Sequence, residues 1–354
     1  MNNNHDFTEG EILRPMLTFR GPVLLAMFLQ SLYGAVDLMV VGKFAEAADA
    51  SGVNTGSQVM MMLTFVVTSF SMAVTILMGQ HIGEKSPEKA GDVIGTGIIM
   101  FAVMAIAMTF AGVMFAPEIA AGLKAPRDAF NQTVSYIRVC SSGFVFIIAY
   151  NVMSGVFRGV GDSVMPLISV TIASVFNIIG DLFFVKGMGM GAKGAAIATV
   201  MAQVMSVILS MFIISKRKMP FILTKDKLRI DKSIAKRIFS LGTPLLLQDI
   251  LVSVSFLFLL AITNSRGVIV SAGVGIAEKL CGFIMLVPSA FSQSVSAFVA
   301  QNVGARRMDR ANKALKYALA VSVCVGLVIA YVAYFHGDIL CEIFSNDHAI
   351  IAAA

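Results

Sequence analysis

Four carboxylic acids lie within stretches of this sequence that are otherwise apolar enough to cross a lipid bilayer. They are Asp37, Asp181, Asp249 and Glu278. An ionisable side chain in the apolar part of a membrane is energetically unfavourable, and such residues mark ion or substrate pathways. Carboxylates at that depth can bind a proton, a metal cation or an organic cation. These acids therefore give the strongest indication of function in the chain.

Two of the acids have polar neighbours that could complete a cation site. Asn177 stands four residues before Asp181, so both side chains project from the same helix face. Asp37 lies well inside the first apolar stretch, and Thr199 offers a hydroxyl group at similar depth. Two carboxylates, an amide oxygen and a hydroxyl suit a proton or a small hard cation such as Na⁺. We expect Asp37, Asn177, Asp181 and Thr199 to form a site for a proton or a cation.

The alternative for each polar residue is a purely structural hydrogen bond to a neighbouring helix. Asn177 and Thr199, taken singly, fit either role, whereas charged residues are the least tolerated in such contacts. Gln248, Asp249 and Glu278 are secondary candidates. Glu278 could instead pair with the adjacent Lys279.

Composition places the chain in a membrane. Of its 354 residues, 57% are hydrophobic and 14% charged, and the mean hydropathy is +0.83. A spanning helix needs roughly 20 apolar residues. Nine segments meet that need, at about 21–41, 50–80, 93–117, 139–157, 163–180, 194–215, 238–262, 280–305 and 317–337. The runs are continuous rather than alternating, which predicts an all-α, polytopic helical bundle. Pro22 is expected to bend the first helix near its start.

The distribution of basic residues indicates the orientation of the protein in the membrane and not a nucleic-acid partner. Most of the 27 lysines and arginines fall in loops on the side that holds the N-terminus. This asymmetry predicts a cytoplasmic N-terminus and contact with anionic lipids. We expect a multi-pass protein and a monomer. The four cysteines show no paired spacing, so no structural metal or cofactor is expected.

An internal repeat organises the chain. Gln80-His81-Ile82-Gly83 recurs as Gln301-Asn302-Val303-Gly304, and the same offset pairs Phe70-Ser71 with Phe291-Ser292. Six spans, an even number, separate the copies, so both have the same orientation, as in some secondary transporters.

The repeat predicts two parallel lobes. Residues 1–215 form a six-helix N-terminal lobe, 216–237 a basic cytoplasmic linker, and 238–354 a partial C-terminal lobe of about three helices. A complete second copy would need six helices, so we expect the chain to be truncated.

A Gly-x-Gly-Asp sequence at Gly159–Asp162 also occurs in intramembrane aspartyl proteases. Here it falls in a predicted connection between helices, and no Tyr-Asp pair exists to supply a partner acid. We therefore expect a protein that is not an enzyme.

Several motifs resemble the multidrug and toxic compound extrusion (MATE) family, particularly its MepA-like bacterial branch. They are Val36–Gly42, Gly79–Gly83, Phe157–Asp162, Asn177–Asp181, Gly194–Thr199 and Gln301–Ala305. The resemblance implies two lobes around a V-shaped cavity, and export of lipophilic, mostly cationic drugs in exchange for H⁺ or Na⁺. It also implies that Asp37, Asn177, Asp181 and Thr199 bind the ion and that Pro22 marks the bend in the first helix. A location in a bacterial plasma membrane is implied by the same resemblance.

Two other functions stay open at this point. A flippase for lipid-linked oligosaccharides would need basic residues at mid-membrane depth, where Lys279 is the one candidate. A non-transporting membrane receptor, or an inactive fragment, would bind a ligand without moving it.

Overall fold

A computed structural model describes residues 7–217, 219–264 and 268–342, together with 351 and 354. The described part of the chain is helical, without strands, which confirms the all-α prediction. Its α-helices are α1 (Leu13–Phe44), α2 (Ala47–Gly83), α3 (Pro87–Met114), α4 (Ala116–Gly122), α5 (Phe130–Ser142), α6 (Phe144–Val160), α7 (Val164–Asp181), α8 (Gly191–Lys216), α9 (Lys232–Asn264), α10 (Val268–Gly304) and α11 (Met308–Glu342). Short 3₁₀ turns occupy Arg127–Ala129 and Lys225–Lys227, and a π-helical turn occupies Leu182–Gly187.

The described helices include eight that are long and apolar enough to cross a membrane, or nine if one bent pair counts as a single span. The pair consists of Arg127–Ser142 and Phe144–Val160, which meet at an angle of 52°. This break divides the span predicted at 139–157. It falls at Gly143, where Val200 of α8 approaches so closely that a side chain would collide with it.

Small residues let α2 and α6 pack closely in the interior. Gly155 lies against Ser71 and Thr75, and the Thr75 hydroxyl donates a hydrogen bond to the Gly155 carbonyl at 2.9 Å. Ser71 donates to the carbonyl of Asn151 at 2.8 Å. Such contacts suit a membrane bundle, in which close packing and hydrogen bonds replace the hydrophobic effect between helices.

The segment between α8 and α9 is held against α3. Gly91 and Gly95 of α3 leave room for the carbonyl groups of Ile222 and Lys227, respectively. The ammonium group of Lys227 also pairs with Asp92 at 3.1 Å. Because α9 begins at Lys232, the end of the segment predicted as a linker is helical. Within residues 219–231, Ile222, Lys227 and Arg229 contact α3.

Aromatic side chains connect the two repeats. Phe70 of α2 packs on Phe239 of α9 with ring centroids 5.3 Å apart, and Phe28 of α1 lies 6.3 Å from Phe283 of α10. The first helix of each repeat therefore contacts the second helix of the other. The ends of α2 and α10 lie on the same side of the bundle as the segment before α1, which we call the N-terminal face.

Candidate functional site

The candidate site starts from a contact between α1 and α8. Asp37 is only 2% exposed, and the Thr199 hydroxyl donates a hydrogen bond to its Oδ2 at 2.8 Å. Thr199 is half-buried in the third turn of α8. The structure thus joins two residues that are far apart in the sequence.

The helix α7 contributes the other two residues of the cluster. Asn177 and Asp181 are both 0% exposed, as expected of side chains one helical turn apart on the same face. Both lie close to the Asp37 carboxyl group. Three helices, α1, α7 and α8, therefore bring the four predicted coupling residues together.

Most of the polar atoms in this cluster are unsatisfied. Within the described structure, no hydrogen-bond partner is found for Asp37 Oδ1, for either oxygen of Asp181, or for either amide atom of Asn177. A buried polar atom without a partner is costly, and two adjacent buried carboxylates cannot both be charged without compensation. The arrangement therefore fits a ligand that brings positive charge.

The donor set also limits the kind of cation. It contains two carboxylates, one amide and one hydroxyl, an oxygen-rich set suited to hard ions. In the described residues, no group of three or more His, Cys, Asp or Glu side chains could hold a metal ion. A proton or a monovalent hard cation suits the cluster better than a transition metal.

Helix α7 changes its winding at Asp181. Its α-helical part ends at this residue, and the π-helical turn Leu182–Gly187 follows directly. Short π-helical turns occur frequently at functional sites. No pattern in the sequence predicts this turn.

Asp162 fixes the opposite end of α7. Its Oδ1 accepts hydrogen bonds from the backbone N–H groups of Val164 and Met165 at 3.0 and 3.1 Å. Its Oδ2 pairs with Arg217, just beyond α8, at 2.9 Å. Asp162 therefore caps one site helix and ties it to another, which accounts for the Gly-x-Gly-Asp motif without a protease. The first two residues of the motif, Gly159 and Val160, lie in the last turn of α6 rather than in the predicted connection.

Asp49 fixes the start of α8 from another helix. Its Oδ1 accepts a hydrogen bond from the backbone N–H of Ala192 at 2.8 Å. Gly191, with φ of +51°, lies directly against the same carboxylate. Sequence reasoning missed Asp49 because this cap comes from a residue far away in the chain.

The secondary candidates lie apart from the cluster. Asp249 of α9 accepts a hydrogen bond from Ser69 of α2 at 3.2 Å, which places it at the contact between the repeats. Gln248 is exposed. Glu278 is half-buried on α10, and no ion pair with Lys279 is found among the described residues.

Pro22 lies inside α1, which continues through it. A small cavity of about 80 Å³ adjoins this position, lined by Thr18, Phe19, Pro22 and residues 161–164. Because proline has no backbone N–H, the Thr18 carbonyl lacks its usual donor four residues on.

Long apolar helices in two repeats of the same orientation, with acids buried between them, define a polytopic membrane protein of the secondary-transporter type. The family model MatE matches residues 22–183 and 244–354. The chain belongs to this family. Its members are transporters rather than enzymes, so the protein is a multi-pass membrane transporter.

Relatives and solved structures agree with this assignment. The chain is 25% identical to "Probable multidrug resistance protein YoeA" of Bacillus subtilis, over 98% of the chain and 76% of that relative. It is 22% identical to "Multidrug export protein MepA" of Staphylococcus saprophyticus, over 98% and 77%. A crystal structure of MATE in the bent conformation has a TM-score of 0.93 at 19% identity, covering 99% of this chain and 79% of that one. This last likeness shows the fold alone.

Proposed function

We propose that this transporter is a multidrug efflux antiporter that exports lipophilic, mostly cationic compounds in exchange for H⁺ or Na⁺. The observation that supports it is the cluster of Asp37, Asn177 and Asp181, whose buried polar atoms lack partners. Similarity to relatives named as multidrug export and resistance proteins supports the substrate class.

Ion binding at this cluster can drive a change of conformation because the ligands belong to different helices. An ion or proton held jointly by Asp37 and Asp181 draws α1 towards α7, and its release leaves two acids that repel each other. An ion shifts the populations of two conformations only when it binds one more tightly than the other. We expect α1 to bend in response at Pro22, where one backbone hydrogen bond is missing and a small cavity adjoins the helix.

The proposed substrate class follows from charge and side-chain type. Asp249 places a carboxyl group between the two repeats, where it can attract a cation. Met61 and Met62 on α2 are exposed, and flexible thioethers adapt to apolar ligands of different shapes. Acidic and apolar surfaces together suit lipophilic cations.

We place the N-terminal face in the cytoplasm of a bacterial cell. Lys85 and Lys89 follow α2 on this face, and Arg306, Arg307 and Arg310 follow α10. Positive charge concentrates on the cytoplasmic side of membrane proteins. We further propose contact with anionic lipids, no nucleic-acid partner, and a monomeric state.

The test compares Asp37→Asn with a matched control. In inside-out vesicles, pH and Na⁺ gradients are imposed separately and uptake of a cationic dye is followed. We expect Asp37→Asn to abolish gradient-driven uptake at unchanged expression, because the amide cannot exchange a proton or balance a cation. Asp128→Asn, an exposed acid in a 3₁₀ turn, should transport normally. Normal uptake by Asp37→Asn would exclude the assigned site.

A flippase for lipid-linked sugars is the second candidate. One structural neighbour is a MOP superfamily transporter from Pyrococcus furiosus, with a TM-score of 0.90 at 19% identity. That protein has a binding pocket of reverse polarity, which suggests a different function for it. The fold therefore accommodates more than one pocket polarity. Transfer of a fluorescent pyrophosphate lipid between leaflets, without dye uptake, would favour the flippase.

A further inference from the structure

The two copies of the repeated Gln-x-x-Gly motif meet at the N-terminal face. Any side chain at Gly83, at the end of α2, would collide with the Gln301 carbonyl oxygen, and any side chain at Gly304 would collide with that of Gln80. A Cβ at Gly79 would lie 2.9 Å from that of Ala300. The ends of α2 and α10 thus pack backbone against backbone, each copy receiving the other in the same way. The two helix ends are therefore in direct contact at this face.

Gln301 connects three parts of the molecule at this junction. Its side chain is buried, and its Nε2 donates a hydrogen bond to the Gly159 carbonyl at the end of α6, at 3.1 Å. Its Oε1 accepts from the backbone N–H of Phe7 at 3.3 Å. One amide therefore joins the second repeat to the N-terminal lobe and to the segment that precedes α1.

The repeat-related Gln80 makes a corresponding contact in the opposite direction. Its Oε1 accepts a hydrogen bond from Arg237 Nη2 of α9 at 2.8 Å. Each glutamine thus holds the start of the other repeat. The two contacts differ in exposure. The hydrogen bond of Gln80 is exposed, whereas that of Gln301 is buried.

The segment Phe7–Ile12 is fixed to the second repeat beside Gln301. The Phe7 ring is buried between Phe19 and Phe298, at centroid distances of 5.4 and 5.1 Å. Its carbonyl group accepts hydrogen bonds from Asn302 Nδ2 at 3.0 Å and Arg310 Nη2 at 3.1 Å. This segment leads directly into α1, the helix that carries Asp37. The start of α1 is therefore anchored to α10 and α11 while the junction is closed.

We propose that Gln301 is a positioning residue of the transport cycle, which holds the N-terminal face closed together with the segment Phe7–Ile12. This inference rests on the proposed transport function, because a transporter must open each face in turn. Opening the N-terminal face requires Gln301 to release Gly159, and it separates Gly83 from Gly304. Release also frees the start of α1 to move relative to the second repeat.

The test measures the separation of the repeats on both faces by spin labelling. The native cysteines Cys140, Cys281, Cys324 and Cys341 are first replaced by serine or alanine. One label pair replaces Glu88 and Asp309, exposed and repeat-related at the N-terminal face. A second pair replaces Glu118 and Asp338 on the opposite face. Glu118 comes just after α3, and Asp338 lies near the end of α11.

We expect Gln301→Leu to increase the population with a long Glu88–Asp309 distance about tenfold, the effect of losing one or two buried hydrogen bonds. The Glu118–Asp338 distance should shorten in the same population, a response that simple loosening of the fold would not give. Asn312→Leu, an exposed amide at the same face, should change neither distance. Unchanged distances in folded Gln301→Leu, or lengthening of both, would overturn the proposal.

A second variant keeps the test decisive if Gln301→Leu does not fold. Gln301→Glu retains an acceptor for Phe7 but places a carboxylate oxygen against the Gly159 carbonyl, so a shift in the same direction is expected. No shift in this variant would also contradict the proposal. Neither measurement needs a transported compound. A negative result here is therefore distinguishable from normal dye uptake by Asp37→Asn, which would remove the proposed coupling site instead.

Discussion

The Thr199 hydroxyl donates a hydrogen bond to the Asp37 carboxylate at 2.8 Å, and this contact joins α8 to α1. It satisfies one carboxylate oxygen, whereas the other has no hydrogen-bond partner among the described residues. Thr199 therefore orients Asp37 as well as adding an oxygen to the cluster.

Removing this hydroxyl should weaken binding of the coupling ion. Thr199→Val keeps the shape of the side chain but leaves Asp37 without its donor. We expect the ion concentration at half-maximal transport to rise about tenfold, a loss typical of a hydrogen bond to a charged group. Thr199→Ser retains the hydroxyl and should stay within about twofold of the parent. Equal values for the valine and serine variants would show that the hydroxyl has no role in ion binding.

Replacing Asp162, which caps α7, should reduce stability through two separable losses, that of its backbone hydrogen bonds and that of its ion pair. Asp162→Ala removes the acceptor for two backbone N–H groups and the partner of Arg217, and should lower the free energy of unfolding by about 1–2 kcal/mol. Asp162→Asn keeps an acceptor oxygen and loses only the ion pair, which contributes about 0–1 kcal/mol. Thermal unfolding in detergent gives both values. An Asn variant as unstable as the Ala variant would mean that the ion pair dominates.

The start of α8 offers a matched pair of glycines. Gly189 and Gly191 both have positive φ, of +64° and +51°, so alanine at either position strains the backbone by about 1–2 kcal/mol. Only Gly191 lies against the Asp49 carboxylate, whereas Gly189 has open space around it. We expect Gly191→Ala to reduce thermal stability more than Gly189→Ala, since it also displaces the cap. Equal effects would show that the strain alone matters.

Asp249 predicts a substrate effect distinct from that of Asp37. If it attracts the transported cation, Asp249→Asn should raise the half-saturating concentration of a cationic dye about tenfold and leave that of a neutral compound unchanged. Ser69→Ala removes its hydrogen-bond donor without removing the charge and serves as the control. A loss of maximal rate with both compounds would instead assign Asp249 to the coupling reaction.

The spans could be predicted from the sequence because their apolar length is a local property, and all nine correspond to helices in the described part of the chain. The break at Gly143 could not be predicted from the sequence, because it depends on Val200 of a different helix. Asn177 and Asp181 could be placed on one face from their spacing. The cap that Asp49 provides could not be found, because it requires knowing which helix ends meet. The capping role of Asp162 could have been predicted, because an acid two residues before a helix is a recognisable capping signal. The likeness of this segment to the protease motif Gly-x-Gly-Asp drew attention away from it.

The reciprocal contact of Gly83 and Gly304 constrains how this protein can be altered. Each glycine faces the main chain of the other copy, so no compensating side-chain replacement nearby can create room for a larger residue. Chimeras that combine halves of different transporters must therefore inherit both glycines together. If either glycine position is randomised, folded variants should retain almost exclusively glycine there, even where the neighbouring loop tolerates many substitutions.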